Sequence, residues 1–401
     1  MTLICTKSSL GRKRVVWLVA LLLVLAAVSG LGIYVTPKTQ SVATLQPQQK
    51  VKGVWLNYME YASLINGFTE EEYTINTKEL LDTIQSIGLN TLFLHLRSHS
   101  DSLYPSKIFP WSKLINGGAG VDYDPLGIIL EQAGERNIAV HAWLNPYRIS
   151  SGMLSELDAN HPAAVLKEKD ENSVVETDTG VYYNPANALA QELVLSGVEE
   201  ILENYKVAGV QYDDYFYPTT LEEFDKASYE AYCNSTDYPL SLSDYRRTQV
   251  NLLVAATHRR AKEYGVTFGV SPAANIQKNK EQLYADVAAW VQGGFVDYLC
   301  PQLYFGFSYP LEQFRFDTLY EQWKTLAGEI PLYIGLASYK VGEVDNGSCE
   351  WVTATDLLAR QTAFSKDAQG VCFYHYSSLV NDSSQSQKEL EGVKKALAQM
   401  Q

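Results

Sequence analysis

The feature of this chain that most constrains its fold is a regular alternation of short strand-like runs and longer helical patterns. Runs of β-branched and aromatic residues lie at 51–57, 90–96, 138–145, 207–213, 265–271, 295–304, 331–337 and 369–376. Helical patterns lie at 69–87, 124–136, 185–205, 243–264, 280–292, 315–327, 353–366 and 386–400. Single helices between strands imply parallel pairing through right-handed crossovers. Eight such units in one series predict an α/β fold, a (β/α)8 TIM barrel spanning 51–401.

The alternative is an open doubly wound sheet, which would usually carry a nucleotide-binding loop after its first strand. Neither G-x-G-x-x-G nor G-x-x-x-x-G-K-[ST] follows 51–57. No cofactor is therefore predicted. The formal net charge is −14, and the first fourteen residues hold four basic residues and no acid, so the remainder sums to −14 − 4 = −18. A body this acidic repels phosphate backbones, and no nucleic-acid partner is expected.

The N-terminal region predicts where the barrel resides. Residues 15–35 carry no formal charge, and at 1.5 Å per residue they span roughly 30 Å of hydrocarbon. A basic cluster at 12–14 precedes them, so the positive-inside rule predicts a cytoplasmic tail at 1–14, a transmembrane signal anchor at 15–35 and a linker at 36–50. The barrel would then face the outside of the cell membrane. A cleaved signal peptide, which would release the barrel, is the alternative.

Five cysteines are present, and the four within the predicted barrel show no C-x-x-C spacing that would indicate zinc. Cys300 and Cys372 lie in apolar strand-like runs, where buried thiols are expected. Cys233 and Cys349 lie in polar insertions, and a disulfide between them is left open.

The residues that end the predicted strands are polar and aromatic. In a TIM barrel the carboxyl ends of the strands and the loops after them form the active site. Aromatic faces that stack on sugar rings, with amides, imidazoles and guanidinium groups that bind hydroxyls, are what a carbohydrate cleft needs. The predicted substrate-binding residues are Trp55, Asn57, His95, Arg97, His141, Trp143, Asn145, Tyr147, Arg148, Tyr215, Tyr217, Gln302 and Tyr304.

Two adjacent carboxylates end the fourth strand, and we predict that they are catalytic. Glycoside hydrolysis usually takes one protonated and one ionised carboxyl group. Asp213 and Asp214 lie among tyrosines, where desolvation and like charge favour one shared proton. Strand alternation points Gln211 and Asp213 into the barrel, which makes Asp213 the candidate nucleophile and Asp214 its partner. The alternative is that the pair caps a helix or forms a surface turn.

Other functions remain open at this point. The barrel could bind glycans without cleaving them, or it could be a metal-dependent polysaccharide deacetylase. Histidines come from different strands, but no H-E-x-x-H pattern supports a metal, and no metal ligands are assigned. Single histidines and tyrosines at these positions could equally be structural. Their convergence on one rim favours a glycan site.

Several motifs resemble the glycosyl-hydrolase-like 10 family of bacterial exported proteins. They are Gly53-Val54-Trp55-Leu56, HAWLNPYR at 141–148, Tyr-Asn-Pro at 183–185, GVQYDDYFYP at 209–218 and PQLY at 301–304. The resemblance covers roughly 51–380. It implies a TIM-barrel glycoside hydrolase of the cell envelope, and in parts of that family the substrate is peptidoglycan glycan strands stripped of their stem peptides.

The fourth strand also resembles two other groups of glycosidases. Gly209, Gln211 and Asp213 are similar to the Gly-x-Arg-x-Asp stretch of the α-amylase superfamily, in which the Asp is the nucleophile. Family 18 chitinases end this strand in Asp-x-Glu-Tyr-Pro, and Phe216 stands here in place of that Glu. The sequence assigns no general acid. Glu60 and Asp101 are candidates in long loops, and Asp297 is expected to be buried in mid-barrel.

Overall fold

Eight parallel strands form the centre of the molecule in a computed structural model that describes residues 49–400. We number them as the first to eighth barrel strands. They are Val51–Leu56, Thr91–Arg97, Ala139–Leu144, Gly209–Tyr212, Thr267–Val270, Tyr298–Leu299, Tyr333–Ala337 and Gly370–Tyr374. The first six pair in chain order, and the eighth pairs with both the first and the seventh. Bridges from Leu299 to Leu332 and from Gln302 to Gly335 join the sixth to the seventh, so the barrel is nearly closed.

Helices cover the outside of this sheet, as the alternation predicts. They are Tyr58–Ile65, Glu70–Ile87, Pro125–Glu135, Pro162–Lys169, Ala188–Asn204, Lys226–Asn234, Leu242–Glu263, Ile276–Glu281, Val287–Gly293, Phe316–Ala327, Glu350–Thr353, Leu357–Phe364, Tyr376–Leu379 and Ser384–Gln399. A small antiparallel sheet of Arg148–Ser150, Val174–Thr177 and Gly180–Tyr183 lies between the third and fourth barrel strands in the chain. The α/β barrel prediction is therefore confirmed for the described part of the chain, and the small sheet is an addition to it.

Three predicted elements are shorter than expected, each for a local reason. The sixth barrel strand covers only Tyr298–Leu299 of the predicted 295–304, because Pro301 has no N–H to donate to a neighbouring strand. The helix predicted at 280–292 is interrupted at Tyr284, whose φ is +52°, a left-handed conformation that a helix does not contain. The helix predicted at 353–366 is broken at Ala354, which has extended dihedrals.

Two apolar cores result from this arrangement. The larger lies between the strands and the helices. The smaller fills the barrel and consists of Trp55, Phe93, Trp143, Tyr298, Cys300, Tyr333 and Cys372. Gly269 permits this inner packing, because a Cβ there would lie 2.3 Å from the Tyr298 ring. The inner core closes the barrel below the rim, so only its upper end is available to a ligand.

The predicted tail, anchor and nearly all of the linker fall on residues 1–48, which lie outside the described residues. Among residues 49–400, no helix has both the length and the apolar character needed to cross a membrane. Cys233 and Cys349 are free thiols, so the disulfide left open by the sequence does not form. Asp297 does not lie in mid-barrel, because it precedes the sixth strand and its side chain pairs with Lys262 at 2.6 Å.

Candidate active site

Asp213 follows the fourth barrel strand directly and points into the barrel. The indole Nε1 of Trp143 donates a hydrogen bond to Asp213 Oδ2 at 3.0 Å, and the backbone N–H of Tyr215 donates to Oδ1 at 3.1 Å. Gln211, two residues earlier, accepts from Trp55 Nε1 at 2.7 Å. Side chains two apart on a strand share a face, so Gln211 and Asp213 both lie on the interior side, as the alternation predicts. Asp213 is only 3% exposed.

Asp214 lies at the point where the chain leaves the strand. Gln302, just beyond the sixth barrel strand, donates from Nε2 to Asp214 Oδ1 at 3.1 Å. The same nitrogen lies 3.1 Å from the Ser271 carbonyl oxygen, so the amide is anchored to the end of the fifth strand. Asp214 is thus oriented by residues from two neighbouring strands while part of its surface stays open.

The environment of the pair favours retention of a proton. Desolvation, and then the charge of Asp214, raise the pKa of Asp213 from 3.8 to about 8. Desolvation also raises the pKa of Asp214, although the hydrogen bond from Gln302 opposes this. Because two carboxylates this close titrate together, the pair rather than either residue holds the proton near neutral pH. One acid and one carboxylate in the same place can protonate a leaving group and stabilise developing positive charge.

A cavity of about 260 Å³ opens above the pair, and we call it the carboxylate cavity. Its lining residues are Trp55, Trp143, Asp213, Asp214, Tyr215, Ser271, Gln302, Tyr304, Tyr339 and Tyr374. Most of them are aromatic, and the Tyr304 and Tyr374 rings stack at 5.7 Å with only 17° between their planes. Flat apolar walls around polar groups at the base suit a ring that carries hydroxyl groups.

A second cavity of about 380 Å³ lies on the loops after the second and third barrel strands. Its lining residues are Tyr58, His99, Asp101, Pro110, Trp111, Ser112, Lys113, Leu114, Gly117, Gly118, Ile149, Ser150, Ser151, Glu156, Leu157, Asp158 and His161. Aromatic contacts connect it to the carboxylate cavity. Tyr58 meets His99 and His95 edge-on at 5.7 and 5.5 Å, and His95 stacks on Trp143 at 3.6 Å.

The structure places seven of the thirteen predicted substrate-binding residues in or beside the carboxylate cavity. Five line the carboxylate cavity together with the acid pair: Trp55, Trp143, Tyr215, Gln302 and Tyr304. His95 and Arg148 lie beside it, since His95 stacks on Trp143 and the Arg148 guanidinium is 5.4 Å from the centre of the Tyr215 ring. Burial lowers the pKa of His95 well below its usual range, so this imidazole is neutral.

Six other predicted site residues lie elsewhere and make structural contacts. Arg97 faces the helices, because the strand register shifts between His95 and Arg97, and its guanidinium packs 4.5 Å from the Phe109 ring. Tyr217 donates to Asp225 at 3.0 Å. His141 hydrogen-bonds to Tyr298 deep in the barrel, and Asn57 caps the helix Tyr58–Ile65. Asn145 donates to the Ser98 carbonyl oxygen, and Tyr147 is fully buried.

Two lining residues of the carboxylate cavity were not identified from the sequence. Ser271 follows the fifth barrel strand directly, and Tyr339 lies two residues beyond the seventh. Both satisfy the rule that selected the other candidates, namely that site residues lie at or just beyond the carboxyl ends of the barrel strands. Tyr374, which ends the eighth strand and also lines the cavity, satisfies it as well. A systematic use of that rule would have identified Ser271 and Tyr339 too.

The two other carboxyl groups considered as acids differ in their surroundings, and Glu60 lies in the helix Tyr58–Ile65 rather than in a loop as predicted. Burial raises the pKa of Glu60, but hydrogen bonds from His375 and Ser377 outweigh it, so the net pKa is lowered. Glu60 Oε1 lies 2.7 Å from His375 Nδ1. Burial raises the pKa of Asp101, which lines the second cavity. Of the two, Asp101 retains its proton more readily. Within residues 49–400, no three His, Cys, Asp or Glu side chains are grouped to hold a metal ion.

Several solved structures share the fold of this barrel. It is similar to the PgaB (BpsB) glycoside hydrolase domain from Bordetella bronchiseptica, with a TM-score of 0.61, 12% identity, and coverage of 87% of this chain and 99% of that one. It is also similar to a GH20 exo-β-N-acetylglucosaminidase from Vibrio harveyi, with a TM-score of 0.53, 12% identity, and coverage of 88% and 54%. The chain thus shares the TIM-barrel fold of these two solved structures.

The sequence identifies the family within this fold. The family model for Glycosyl hydrolase-like 10 matches residues 50–353, so the chain belongs to that family and the resemblance in its motifs is confirmed. Glycosyl hydrolase YngK of Bacillus subtilis (strain 168) is 33% identical over 334 residues, which cover 75% of this chain and 63% of that protein. Glycosyl hydrolase DigH of Escherichia coli (strain K12) is 32% identical over 360 residues, which cover 79% and 80%.

Proposed function

We propose that this protein hydrolyses glycosidic bonds in an amino-sugar polymer of the cell envelope, namely peptidoglycan strands that have lost their stem peptides. The observation that carries the proposal is the pair Asp213 and Asp214, which holds a proton at the base of an aromatic cavity at the carboxyl ends of the barrel strands. Membership of the glycosyl hydrolase-like 10 family supports the reaction class. The choice of polymer rests on the resemblance of the motifs.

In the proposed reaction, the pair performs both carboxyl roles. A sugar ring lies against the aromatic walls, and the shared proton passes to the oxygen of the leaving group. The carboxylates that remain stabilise the positive charge that develops on the sugar, and a water molecule then adds to the anomeric carbon and gives its proton back to the pair. Asp213 is the more deeply buried of the two, and the proton belongs to the pair rather than to either residue.

The test is the release of new reducing ends from defined polymers by the purified full-length protein. Peptidoglycan strands without stem peptides, chitin oligomers and α-glucans are the substrates, and Asp213→Asn is the control. The proposal expects products from the peptidoglycan strands that the control does not generate. The absence of products from all three polymers would contradict it. Tight glycan binding without turnover would indicate a non-catalytic barrel, and release of acetate that chelators abolish would indicate a deacetylase.

We also propose that residues 15–35 remain attached and hold the barrel on the outer side of the cell membrane. Their length and lack of charge, with the basic residues at 12–14 before them, support this arrangement. N-terminal sequencing of the native protein tests it. A mature protein that starts near Gly30 or beyond would show that the segment is a cleaved signal peptide instead.

A further inference from the structure

Arg148 lies at the junction of the two cavities. It begins the short strand Arg148–Ser150, whose other residues, Ile149 and Ser150, line the second cavity. Its guanidinium carbon is 5.4 Å from the centre of the Tyr215 ring, and Tyr215 lines the carboxylate cavity. A sugar chain that occupies both cavities must therefore pass this side chain.

The charge of Arg148 has no partner in the part of the chain that the structure describes. Its side chain makes no hydrogen bond or ion pair within residues 49–400, and its one polar contact is the face of Tyr215. Arg246 shows the contrast, because its guanidinium is buried and bonded to both oxygens of Asp225. A guanidinium has five N–H donors, and one that is partly buried without an acceptor is suited to bind an anion.

Neighbouring groups do not supply that anion. Burial, and then the charge of Arg148, lower the pKa of His99 to about 4, so this ring is neutral at physiological pH. The acid pair carries a proton and makes no ion pair with Arg148. The second cavity beyond Arg148 holds Asp101, Glu156 and Asp158, with one lysine. A negatively charged ligand group is therefore favoured at Arg148 and disfavoured deeper in that cavity.

We propose that Arg148 binds a free carboxylate carried by the glycan next to the bond that is cleaved. The guanidinium fork matches the two oxygens of a carboxylate. In peptidoglycan this group is the lactyl carboxylate of the muramic acid unit, which is charged only after the stem peptide is removed, because in intact strands it is an amide. The proposal rests on the proposed function, and it names Arg148 as the residue that selects stripped strands over intact ones.

The experiment compares three sets of oligosaccharides with the full-length protein. The first carries free lactyl carboxylates, the second is identical except that these groups are converted to methylamides, and the third is hyaluronan, whose carboxylates belong to uronic acids. For the wild-type protein we expect kcat/KM to be about 10–100-fold higher with free lactyl groups than with amides, the range of a charge-assisted hydrogen bond. A preference for hyaluronan over the lactyl oligomers would assign the site to a uronic acid and overturn the lactyl proposal.

Variants at position 148 test whether the preference for the free acid over the amide comes from the Arg148 side chain. Arg148→Gln should bring the ratio of free acid to amide close to one, and Arg148→Lys should retain part of it, since it keeps the charge without the fork. Arg259→Gln, an exposed arginine on the helix Leu242–Glu263, is the matched control and should keep the wild-type ratio. If the ratio survives in Arg148→Gln, or if the wild-type protein shows none, the proposal is wrong.

Binding measurements separate this proposal from the proposed function. Calorimetric titration of the free-acid and amidated oligomers into the wild-type protein and Arg148→Gln does not depend on turnover. A wild-type preference for the acid that Arg148→Gln loses, with no cleavage of any polymer, supports the role of Arg148 and contradicts hydrolysis. Cleavage of the strands without any preference for the free acid supports hydrolysis and overturns the role of Arg148.

Discussion

Two aspartates at opposite ends of the barrel strands have opposite electrostatic environments. Asp297 precedes the sixth strand, and Asp213 follows the fourth. Asp297 accepts hydrogen bonds from Lys262 Nζ at 2.6 Å and from the Phe268 backbone N–H at 2.9 Å. Although burial acts in the other direction, these contacts lower the pKa of Asp297. Asp213 has a second acid rather than a cation beside it, and its pKa is raised.

These environments make Asp297 a stabilising carboxylate and Asp213 a reactive one. At the amino ends of the strands, a cation and a backbone donor stabilise the charge of Asp297, and the contact contributes to folding. At the carboxyl ends, the fold leaves Asp213 without a cation and keeps a second carboxyl group next to it. Such an arrangement costs stability, and it is typical of sites where a proton must be available near neutral pH.

The largest expected effect is on catalysis. Asp213→Asn should lower kcat by about 10²–10⁴-fold with little change in KM, because the lost carboxyl group acts in the transition state. Asp297→Asn, at the other end of the strands, should leave kcat within about twofold. Steady-state release of reducing ends from stripped peptidoglycan strands measures both. Equal activity of Asp213→Asn and wild type would remove Asp213 from the mechanism, and an equal loss in both variants would make the effect structural.

Asp214→Asn should change the pH dependence as well as the rate. The charge of Asp214 raises the pKa of Asp213, so its removal lowers that pKa, and the shared proton is lost at lower pH. The alkaline limb of the kcat/KM profile, which we expect near pH 8 in the wild-type protein, should move to lower pH. We expect kcat at the optimum to fall by about tenfold or more. A lower rate with an unchanged alkaline limb would show that the two carboxyl groups do not share a proton.

Gln302→Leu should shift the acidic limb of the kcat/KM profile rather than the alkaline limb. The hydrogen bond from Gln302 favours the ionised form of Asp214, so its loss raises the pKa of Asp214. The activity should therefore appear at higher pH than in the wild-type protein, with kcat lowered by about tenfold, the value of one hydrogen bond to a charged group at the lower end of its range. Gln132→Leu, a partly buried glutamine on the helix Pro125–Glu135, is the control. An acidic limb that stays in place would contradict the orienting role of Gln302.

The sequence predicts the direction of the Asp213 side chain better than that of the residues around the site. Side chains alternate strictly while the chain remains in a strand, so the inward direction of Gln211 and Asp213 follows from the pattern. The rule fails at Arg97, because the register shift in the second strand turns this side chain toward the helices. It also fails at Tyr217, four residues beyond Asp213, where the contact with Asp225 determines the direction. Irregular segments depend on distant partners that periodicity does not reveal.

The smallest expected effect is on stability, and it has opposite signs at the two positions. At pH 7.5, Asp297→Asn should lower the free energy of unfolding by about 1–2 kcal/mol, because it removes a paired carboxylate whose lysine is half exposed. Asp213→Asn should raise it by about 1–2 kcal/mol. Removal of the buried carboxyl group relieves the cost of keeping it protonated at a pH where the unfolded chain has released the proton, and the gain is reduced because one amide oxygen cannot accept from both Trp143 and the Tyr215 backbone.

The pH dependence of these differences distinguishes them from ordinary packing effects. The folded pKa of Asp213 lies near 8 and its ordinary value is 3.8, so the folded protein holds a proton that the unfolded chain has released between these values. The cost of keeping Asp213 protonated therefore grows as pH rises between these values, and the advantage of Asp213→Asn over wild type should be larger at pH 7.5 than at pH 5. The folded pKa of Asp297 is lowered, so its contribution is complete above its ordinary value of 3.8 and is lost as pH falls through the lowered one. The deficit of Asp297→Asn should persist from pH 7.5 to pH 5 and should shrink only below about pH 4. Urea unfolding of the wild-type protein and both variants at pH 7.5, at pH 5 and below about pH 4 measures these differences. If the free energies of unfolding of the two variants change with pH in parallel, the two ends of the barrel do not differ as described.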